Sequence, residues 1–135
     1  MSNPVSYQNM MAFMAKAKNI SKGRPTGQRG TRIHLKSRYG ESVPTIVQLY
    51  YHNTSLITWH PDGQVIFINQ GWNTRTTINR MNEYLYHYGY RIVTRKGTKY
   101  LRAIIDAELS WADQELTDIF RIVFENGDLC NIMSY

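Results

Sequence analysis

The stretch that decides the fold is SLITWHPDGQVIFIN, residues 55–69. Two short runs rich in apolar and β-branched residues flank Pro61-Asp62-Gly63. Proline presets the φ angle that a turn needs and glycine accepts a positive φ angle, so these three residues predict a tight turn. We therefore predict an antiparallel hairpin with strands over 55–60 and 64–69.

Four further segments share the alternation of apolar and polar residues that is typical of half-buried strands. They are 31–38, 45–52, 90–95 and 98–105. The last two flank Lys96-Gly97, which predicts a second hairpin. These patterns together predict about six antiparallel strands that follow one another in chain order.

Two segments have the periodicity of helices. Apolar residues at helical spacing predict a short amphipathic helix within residues 4–19. After the fourth strand, Thr76 or Thr77 can cap a second helix. Its end is placed at Gly89, because glycine adopts the left-handed conformation without strain.

Residues 111–126 fit two interpretations. Six apolar residues fall on one helical face and seven polar residues on the other, which favours a helix that ends at Gly127. Asn126-Gly127 between apolar runs is also typical of a hairpin turn. We favour the helix, so the predicted fold is α+β. It has a small antiparallel sheet of about six strands, a helix between strands four and five, and a C-terminal helix.

The composition limits the class of protein. A chain of 135 residues with 42% hydrophobic residues has the length and composition of one globular domain. No apolar run approaches the roughly 20 residues that cross a bilayer, and no basic segment leads into an apolar stretch as in a secretory signal. We therefore expect a soluble, cytosolic protein with no membrane partner.

Positive charge is concentrated in the first part of the chain. Residues 1–105 contain fifteen lysines and arginines and three acids, whereas residues 106–135 contain one arginine and seven acids. All the charged residues of the glycine- and proline-rich segment before the first strand are basic. Repulsion among these charges favours an extended or anion-bound state. We predict an N-terminal helix and basic mobile arm over 1–30, dispensable for folding, and a single α+β ligand-binding domain over 31–135.

The sequence contains no pattern typical of catalysis or metal binding. Its four histidines lack the spacing of a metal site, and the single cysteine, Cys130, has no activating partner nearby. A GxSxG nucleophile motif is absent as well. We expect neither an enzyme nor a bound metal or cofactor.

The segment NQGWNTRTTINRMN, residues 69–82, has the chemistry to bind an anion. It lies where a strand meets a helix, and the N–H groups at a helix N-terminus attract anions. Trp72 can stack a base, Arg75 or Arg80 can pair with a phosphate, and Asn82 can contact a ribose or a base edge. A capping loop around a packed tryptophan is the alternative, and from the residues alone it is slightly favoured.

Five tyrosines leave two interpretations open. They are Tyr84, Tyr86, Tyr88, Tyr90 and Tyr100. Aromatic rings beside arginines can stack the bases of a nucleotide or a single strand. Tyrosine is equally common where one edge of a ring is buried and the other is wet, as at an interface. The surplus of aromatic residues in a small domain also predicts a homo-oligomer.

The residues His60–Gly63, Val65–Ile68 and Asn69–Asn82 resemble a motif of many small phage proteins. On this motif the chain is similar to the Thoeris anti-defence protein 1 group of phage signal sponges. That resemblance implies a protein that sequesters a cyclic ADP-ribose isomer made by TIR enzymes, without degrading it, and that forms oligomers. Some members also hold cyclic oligonucleotides.

In that group an aromatic residue and an asparagine ten residues later contribute to the pocket, and Trp72 and Asn82 match this spacing. The Met-rich N-terminus and the basic arm depart from the group's pattern. The resemblance therefore implies a sponge for a cyclic nucleotide in the host cytoplasm. The expected ligand-binding residues are Trp72, Arg75, Arg80, Asn82, Lys99 and Arg102.

Two other functions use the same residues. A module that binds single-stranded nucleic acid would use these basic and aromatic side chains, and its affinity would fall steeply with salt. A protein that blocks a host enzyme by direct contact would need a protein partner and no ligand.

Overall fold

The computed structural model describes residues 7–17, 22–71, 74–104 and 114–134. Two α-helices and ten strands lie within these ranges. The helices are α1 (Tyr7–Ala15) and α2 (Arg75–Leu85). The strands are β1 (Arg24–Pro25), β2 (Thr31–Lys36), β3 (Ile46–Tyr51), β4 (Thr54–Trp59), β5 (Gln64–Gln70), β6 (Tyr90–Arg95), β7 (Thr98–Ala103), β8 (Gln114–Leu116), β9 (Ile119–Glu125) and β10 (Asp128–Ser134). None of the described helices is long and apolar enough to cross a bilayer.

The strands form two antiparallel sheets. The large sheet has seven strands in the order β1-β2-β3-β4-β5-β9-β10, and the small sheet has the order β6-β7-β8. The predicted central hairpin is confirmed, with Trp59 paired to Val65 across a turn in which Gly63 has a φ of 95°. The second predicted hairpin is confirmed as β6 and β7.

The core lies between one face of the large sheet and the two helices. Trp59, Phe67 and Phe124 from the sheet are fully buried, and Met81 from α2 packs among them. Met14 of α1 is also fully buried in this core. Removal of residues 1–30 is therefore expected to weaken the core rather than leave folding intact.

The predicted C-terminal helix is wrong, because this part of the chain forms β8, β9 and β10. Strand β9 lies between β5 and β10, so it is paired along both edges. Alternation in β9 buries Phe120, Ile122 and Phe124 on the core face. The helical assignment left Ile122 off its apolar face, yet this side chain has no exposed surface.

The turn between β9 and β10 is the alternative that the sequence also allowed. Asn126 and Gly127 have φ angles of 52° and 90°, the left-handed pair that a tight hairpin turn requires. Residues 111–113, where the predicted helix began, lie outside the described residues.

The α+β assignment is therefore wrong as well, since the described chain is mostly β. The helix does not lie between strands four and five, because part of the basic segment forms β1, which pairs with β2. Helix α2 consequently follows the fifth strand.

Helix α2 starts earlier than the sequence predicted. Its N-cap is Thr74, whose hydroxyl accepts a 3.2 Å hydrogen bond from the N–H of Thr77. Neither Thr76 nor Thr77 is therefore the cap. We expect Thr74→Ala to lower the free energy of unfolding by about 1 kcal/mol and Thr74→Ser to restore most of it. Chemical denaturation measures this difference, and equal stability of both variants would contradict the cap.

Burial of Tyr88 makes stability sensitive to high pH. Its ring stacks on Phe124 with centroids 4.5 Å apart, and burial raises the pKa of Tyr88 to about 12. A tyrosine whose pKa is higher in the folded state favours folding below the unfolded pKa of about 10. That contribution is lost as the pH rises from about 10 to about 12.

We expect the wild type to lose up to about 2 kcal/mol of stability across this range, and Tyr88→Phe to lose much less. Urea denaturation at a series of alkaline pH values measures the loss. Tyr39→Phe is the control, since Tyr39 is fully exposed. If the free energy of unfolding falls equally with rising pH in Tyr88→Phe and in the wild type, this explanation is wrong.

Candidate functional site

An open groove of about 570 Å³ lies between α2 and the start of β6. Its lining brings two predicted site residues together with four others. They are Asn79, Arg80, Asn82, Glu83, Tyr86 and Arg91. We call this site the α2–β6 groove.

Helical geometry explains which residues of α2 face the groove. Positions three or four apart share one face of a helix, so Arg75, Asn79, Asn82 and Tyr86 fall on one stripe. Arg75 is exposed at the first turn, and a rise of 1.5 Å per residue places it about 16 Å from Tyr86 along the axis. Arg75 therefore marks the far end of the stripe and does not line the groove itself.

Asn82 forms the wall between the helix and the small sheet. Its side-chain Nδ2 donates to the backbone oxygen of Ile92 at 3.0 Å, and its Oδ1 accepts from the N–H of Ile92 at 2.7 Å. These bonds replace a neighbouring strand along the free edge of β6. Asn82 thus fixes the distance between α2 and β6, with part of its amide left facing the groove.

We expect Asn82→Ala to lower the free energy of unfolding by about 1–3 kcal/mol, because the polar backbone of Ile92 loses both partners. Asn79→Ala is the matched control: Asn79 is exposed on the same helix, and alanine is the better helix former. Thermal denaturation of the two variants measures the contrast. Equal melting temperatures would show that the Asn82 amide does not hold the sheet edge.

The Arg80 guanidinium already has partners within the protein, so it is less available to a phosphate than an exposed arginine would be. Its Nε donates to the Thr31 hydroxyl at 3.0 Å, and its Nη1 lies 3.4 Å from the Glu83 carboxylate. Only 16% of its side chain is exposed, and the carboxylate of Glu83 also accepts a hydrogen bond from Gln28. Arg80 therefore positions Glu83 at the groove and has its charge balanced there.

Arg91 is the cation that the sequence analysis missed. It is exposed, and among the described carboxylates none forms an ion pair with it. Arg102 lies directly opposite Arg91 in the β6–β7 pairing, on the same face of the small sheet. Like charges placed opposite each other repel, and the Arg91 member of this pair is exposed at the groove.

The signal for this arginine pair was present in the sequence. A two-residue turn at Lys96-Gly97 fixes the register of the predicted hairpin, and that register pairs Arg91 with Arg102. Lys99 lies on the other face, beside Leu101, because successive side chains alternate along a strand. The structure therefore brings Arg102 to Arg91 and places Lys99 away from both.

Tyr86 supplies the exposed aromatic ring of the groove. It is 65% exposed, in the 3-10 turn that follows α2. With Arg91, Asn82 and Ile104 it encloses a recess of about 180 Å³ at the end of the groove. The other tyrosines of this segment, Tyr84, Tyr88 and Tyr90, pack against the core. The packing interpretation therefore holds for these three, and Tyr86 is the ring available for stacking.

Trp72 lies outside the described residues, so its predicted role stays a prediction. The next described residue after it is Thr74, which caps the N-terminal end of α2, at the opposite end of the helix from Tyr86.

A second cleft, of about 520 Å³, lies between α1, β1 and α2. Its floor is apolar, and the guanidinium of Arg24 already lies 4.0 Å above the Phe13 ring and donates to the Phe13 backbone oxygen at 2.6 Å. This cation is satisfied within the protein. The α2–β6 groove is therefore the stronger candidate for an anionic ligand.

The described histidines do not gather into a site. Burial lowers the pKa of His60, and burial together with the charges of Lys36 and Arg32 lowers the pKa of His34. In the part of the chain that the structure describes, no three His, Cys, Asp or Glu side chains converge as metal ligands would.

A family model described as the Kyanoviridae Gp96 protein matches residues 5–131. The chain belongs to the Kyanoviridae Gp96 family. The prediction of a phage protein family is thereby confirmed, while the match contains no link to the Thoeris group. No curated protein and no solved structure matches the chain.

The Gp96 match includes the whole of the α2–β6 groove. Helix α2, its 3-10 turn and strands β6 and β7 all fall within the matched residues. The groove therefore lies entirely within the residues that match the Gp96 family model.

Proposed function

We propose that this Gp96-family protein is a phage anti-defence sponge that binds a cyclic nucleotide immune signal and does not cleave it. The expected ligand is a cyclic ADP-ribose isomer or a cyclic oligonucleotide, captured in the host cytoplasm. The observation that carries the proposal is the α2–β6 groove, which is lined by exposed Tyr86 from the turn after α2 and by exposed Arg91 from β6, with Arg102 opposite Arg91 in the small sheet.

The chemistry of the groove matches the parts of a nucleotide. Tyr86 offers an aromatic face on which a base can stack. Arg91, with Arg102 beside it, offers planar guanidinium groups for a phosphate. The Glu83 carboxylate and the Asn79 amide can bond to ribose hydroxyls, as acidic residues do in dinucleotide sites.

The size of the groove also suits such a ligand. Its volume of about 570 Å³ falls within the roughly 300–1,000 Å³ range of small-molecule sites. The groove is open to solvent along its length, so a second protein copy would have to complete the enclosure. Sequestration needs tight binding and slow release and no bond chemistry, in keeping with a groove that lacks a nucleophile paired with a base.

The experiment is isothermal titration calorimetry against cyclic ADP-ribose isomers, cyclic dinucleotides and linear ADP-ribose, followed by recovery of the ligand. We expect tight binding of a cyclic nucleotide and its release unchanged after heating the complex. Absence of binding across the panel, or conversion of the ligand to a product, would reject the sponge.

Single-stranded nucleic acid is the second candidate. The guanidinium of Arg95 lies 4.5 Å above the Tyr100 ring, on the same face of the small sheet as Arg91 and Arg102. This face extends the groove into a longer basic and aromatic path. A strand that follows it would neutralise several arginines, so its affinity would fall steeply with salt, whereas that of a small ligand would fall mildly.

A further inference from the structure

Part of the basic segment that the sequence analysis identified lies against the edge of the large sheet. Residues 22–38 contain six lysines and arginines and no acid. Arg24 and Pro25 form β1, which pairs with β2. The Nε of Arg32 on β2 donates to the backbone oxygen of Lys22 at 3.0 Å, so Lys22 lies beside Arg32.

Three side chains of β2 lie on the sheet face that points away from the core. Thr31 and Ile33 are buried on the core side, so strand alternation turns Arg32, His34 and Lys36 to the other face. A rise of about 3.4 Å per residue spaces these three side chains about 6.8 Å apart in a straight line. We call Arg32, His34 and Lys36, together with the adjacent Lys22, the β2 row.

The neighbouring strands supply aromatic and polar side chains beside the β2 row. The half-buried ring of Tyr50 on β3 lies edge-on to the His34 ring, with centroids 4.9 Å apart. The Nζ of Lys36 lies 5.5 Å from the centroid of the Tyr50 ring. The Tyr50 hydroxyl donates to the side-chain oxygen of Gln48, whose Nε2 donates to the Thr58 hydroxyl at 3.2 Å. These contacts fix the positions of Tyr50 and Gln48 beside the row.

The positive charge of the β2 row is not balanced by the strands around it. Strands β2, β3 and β4 contain no acid. The ion pairs among the described residues join Arg38 to Glu41 and Arg80 to Glu83, so none includes a member of the row. Lys22, Arg32 and Lys36 are all exposed. The row therefore presents a surplus of positive charge to solvent.

We propose that the β2 row and Tyr50 bind single-stranded nucleic acid through its phosphate backbone. Lysine and arginine pair with phosphates, and glutamine, threonine and tyrosine side chains also hydrogen-bond to phosphates and sugars. A nucleic acid presents its charges at regular intervals along a line, as the row presents its cations. The Tyr50 ring favours a single strand over a duplex, because unpaired bases stack on aromatic rings.

An acidic polypeptide is the other partner that a basic row attracts, and the surface fits it less well. Protein interfaces have an apolar centre. Of the six residues that β2 and β3 turn to this face, Ile46 is the only aliphatic one.

The β2 row is separate from the α2–β6 groove. It lies on the face of β2 opposite to Thr31, whose hydroxyl contacts Arg80 at the groove. The inference therefore does not depend on the proposed function, and loss of oligonucleotide binding leaves the calorimetry with cyclic nucleotides unaffected.

Fluorescence anisotropy with a labelled single-stranded oligothymidylate, over a series of salt concentrations, tests the proposal. Lys22→Gln combined with Lys36→Gln removes two charges of the row and keeps the hydrogen bond from Arg32 to the backbone of residue 22. We expect this variant to bind about tenfold more weakly at low salt. Each phosphate contact on a single strand contributes about 0.7 to the slope of log affinity against log salt, so the slope should fall by about 1.4.

The matched control is Arg95→Gln combined with Lys96→Gln, which removes two charges from the hairpin of the small sheet. All four substituted positions are exposed, and thermal melts followed by circular dichroism check that both variants are folded. We expect the control to keep the affinity and the salt slope of the wild type. Equal loss in both variants, loss in the control alone, or no binding by the wild type would each overturn the proposal. Tighter binding of polyaspartate than of the oligonucleotide would overturn it too, because the row would then belong to an acidic polypeptide.

Discussion

Ile122→Ala is expected to lower the free energy of unfolding by about 2–5 kcal/mol, the range for removing a buried aliphatic side chain. Ile122 has no exposed surface and lies in a strand that is paired on both edges. The surrounding sheet can relax little, so most of the cavity should remain. Chemical denaturation measures the change: the midpoint denaturant concentration shifts while the dependence of the free energy on denaturant stays constant.

Ile119→Ala is the matched control, because Ile119 lies three residues earlier in the same strand and is 47% exposed. We expect its effect to be well under 1 kcal/mol. Both variants are measured in dilute solution, so that association between copies does not contribute. A helix over this segment would reverse the ranking, with Ile119 the costly position. Such a reversal would overturn the strand assignment.

Tyr86→Ala combined with Arg91→Ala is expected to weaken nucleotide binding by about two to three orders of magnitude. Loss of a stacked aromatic face costs about 1–3 kcal/mol, and loss of a charge-assisted hydrogen bond costs a comparable amount. Each factor of ten in affinity corresponds to about 1.4 kcal/mol. Titration calorimetry with the cyclic nucleotide that the wild type binds measures the loss.

The control for this pair is Tyr39→Ala combined with Arg29→Ala, the same chemical change at exposed positions outside the groove. We expect the control to bind like the wild type. Because Tyr86 and Arg91 are both exposed, their replacement should leave the melting temperature nearly unchanged. Full binding by the groove variant would place the ligand elsewhere, and the groove would lose its role even if the protein is a sponge.

Local patterns predicted the elements whose partners are close in sequence. The hairpins at Pro61-Asp62-Gly63 and Lys96-Gly97 depend on turn chemistry and alternation within about fifteen residues. The pairing of β9 with β5 could not be predicted in this way, because it joins distant parts of the chain. The β9–β10 hairpin was open to the same local reasoning through its Asn126-Gly127 turn. Alternation in β9 is interrupted by the apolar run Ile122, Val123 and Phe124, so the segment also fits a helix.

The sequence could predict which residues of the candidate site share a face of α2, but it could not predict their contacts with other parts of the chain. The three-residue spacing of Asn79 and Asn82 is enough to predict that they share one face of α2, and both line the groove. The sequence could not show that the Asn82 amide is engaged by the backbone of Ile92, or that Glu83 balances Arg80. Both contacts depend on how α2 sits against neighbouring strands. The position of Arg91 opposite Arg102 could have been predicted, because it follows from the register of a hairpin that the sequence already predicted.

The pairing of β5 with β9 has a consequence for synthesis of the protein on the ribosome. Val65 pairs with Phe124, so the edge of β5 that pairs with β9 has no partner until nearly sixty further residues have been made. A nascent chain would expose this apolar strand edge for seconds, at bacterial synthesis rates of about 5–20 residues per second. Open edges of this kind pair with other chains, so expression truncated before Ile119 should yield aggregates rather than a smaller folded domain.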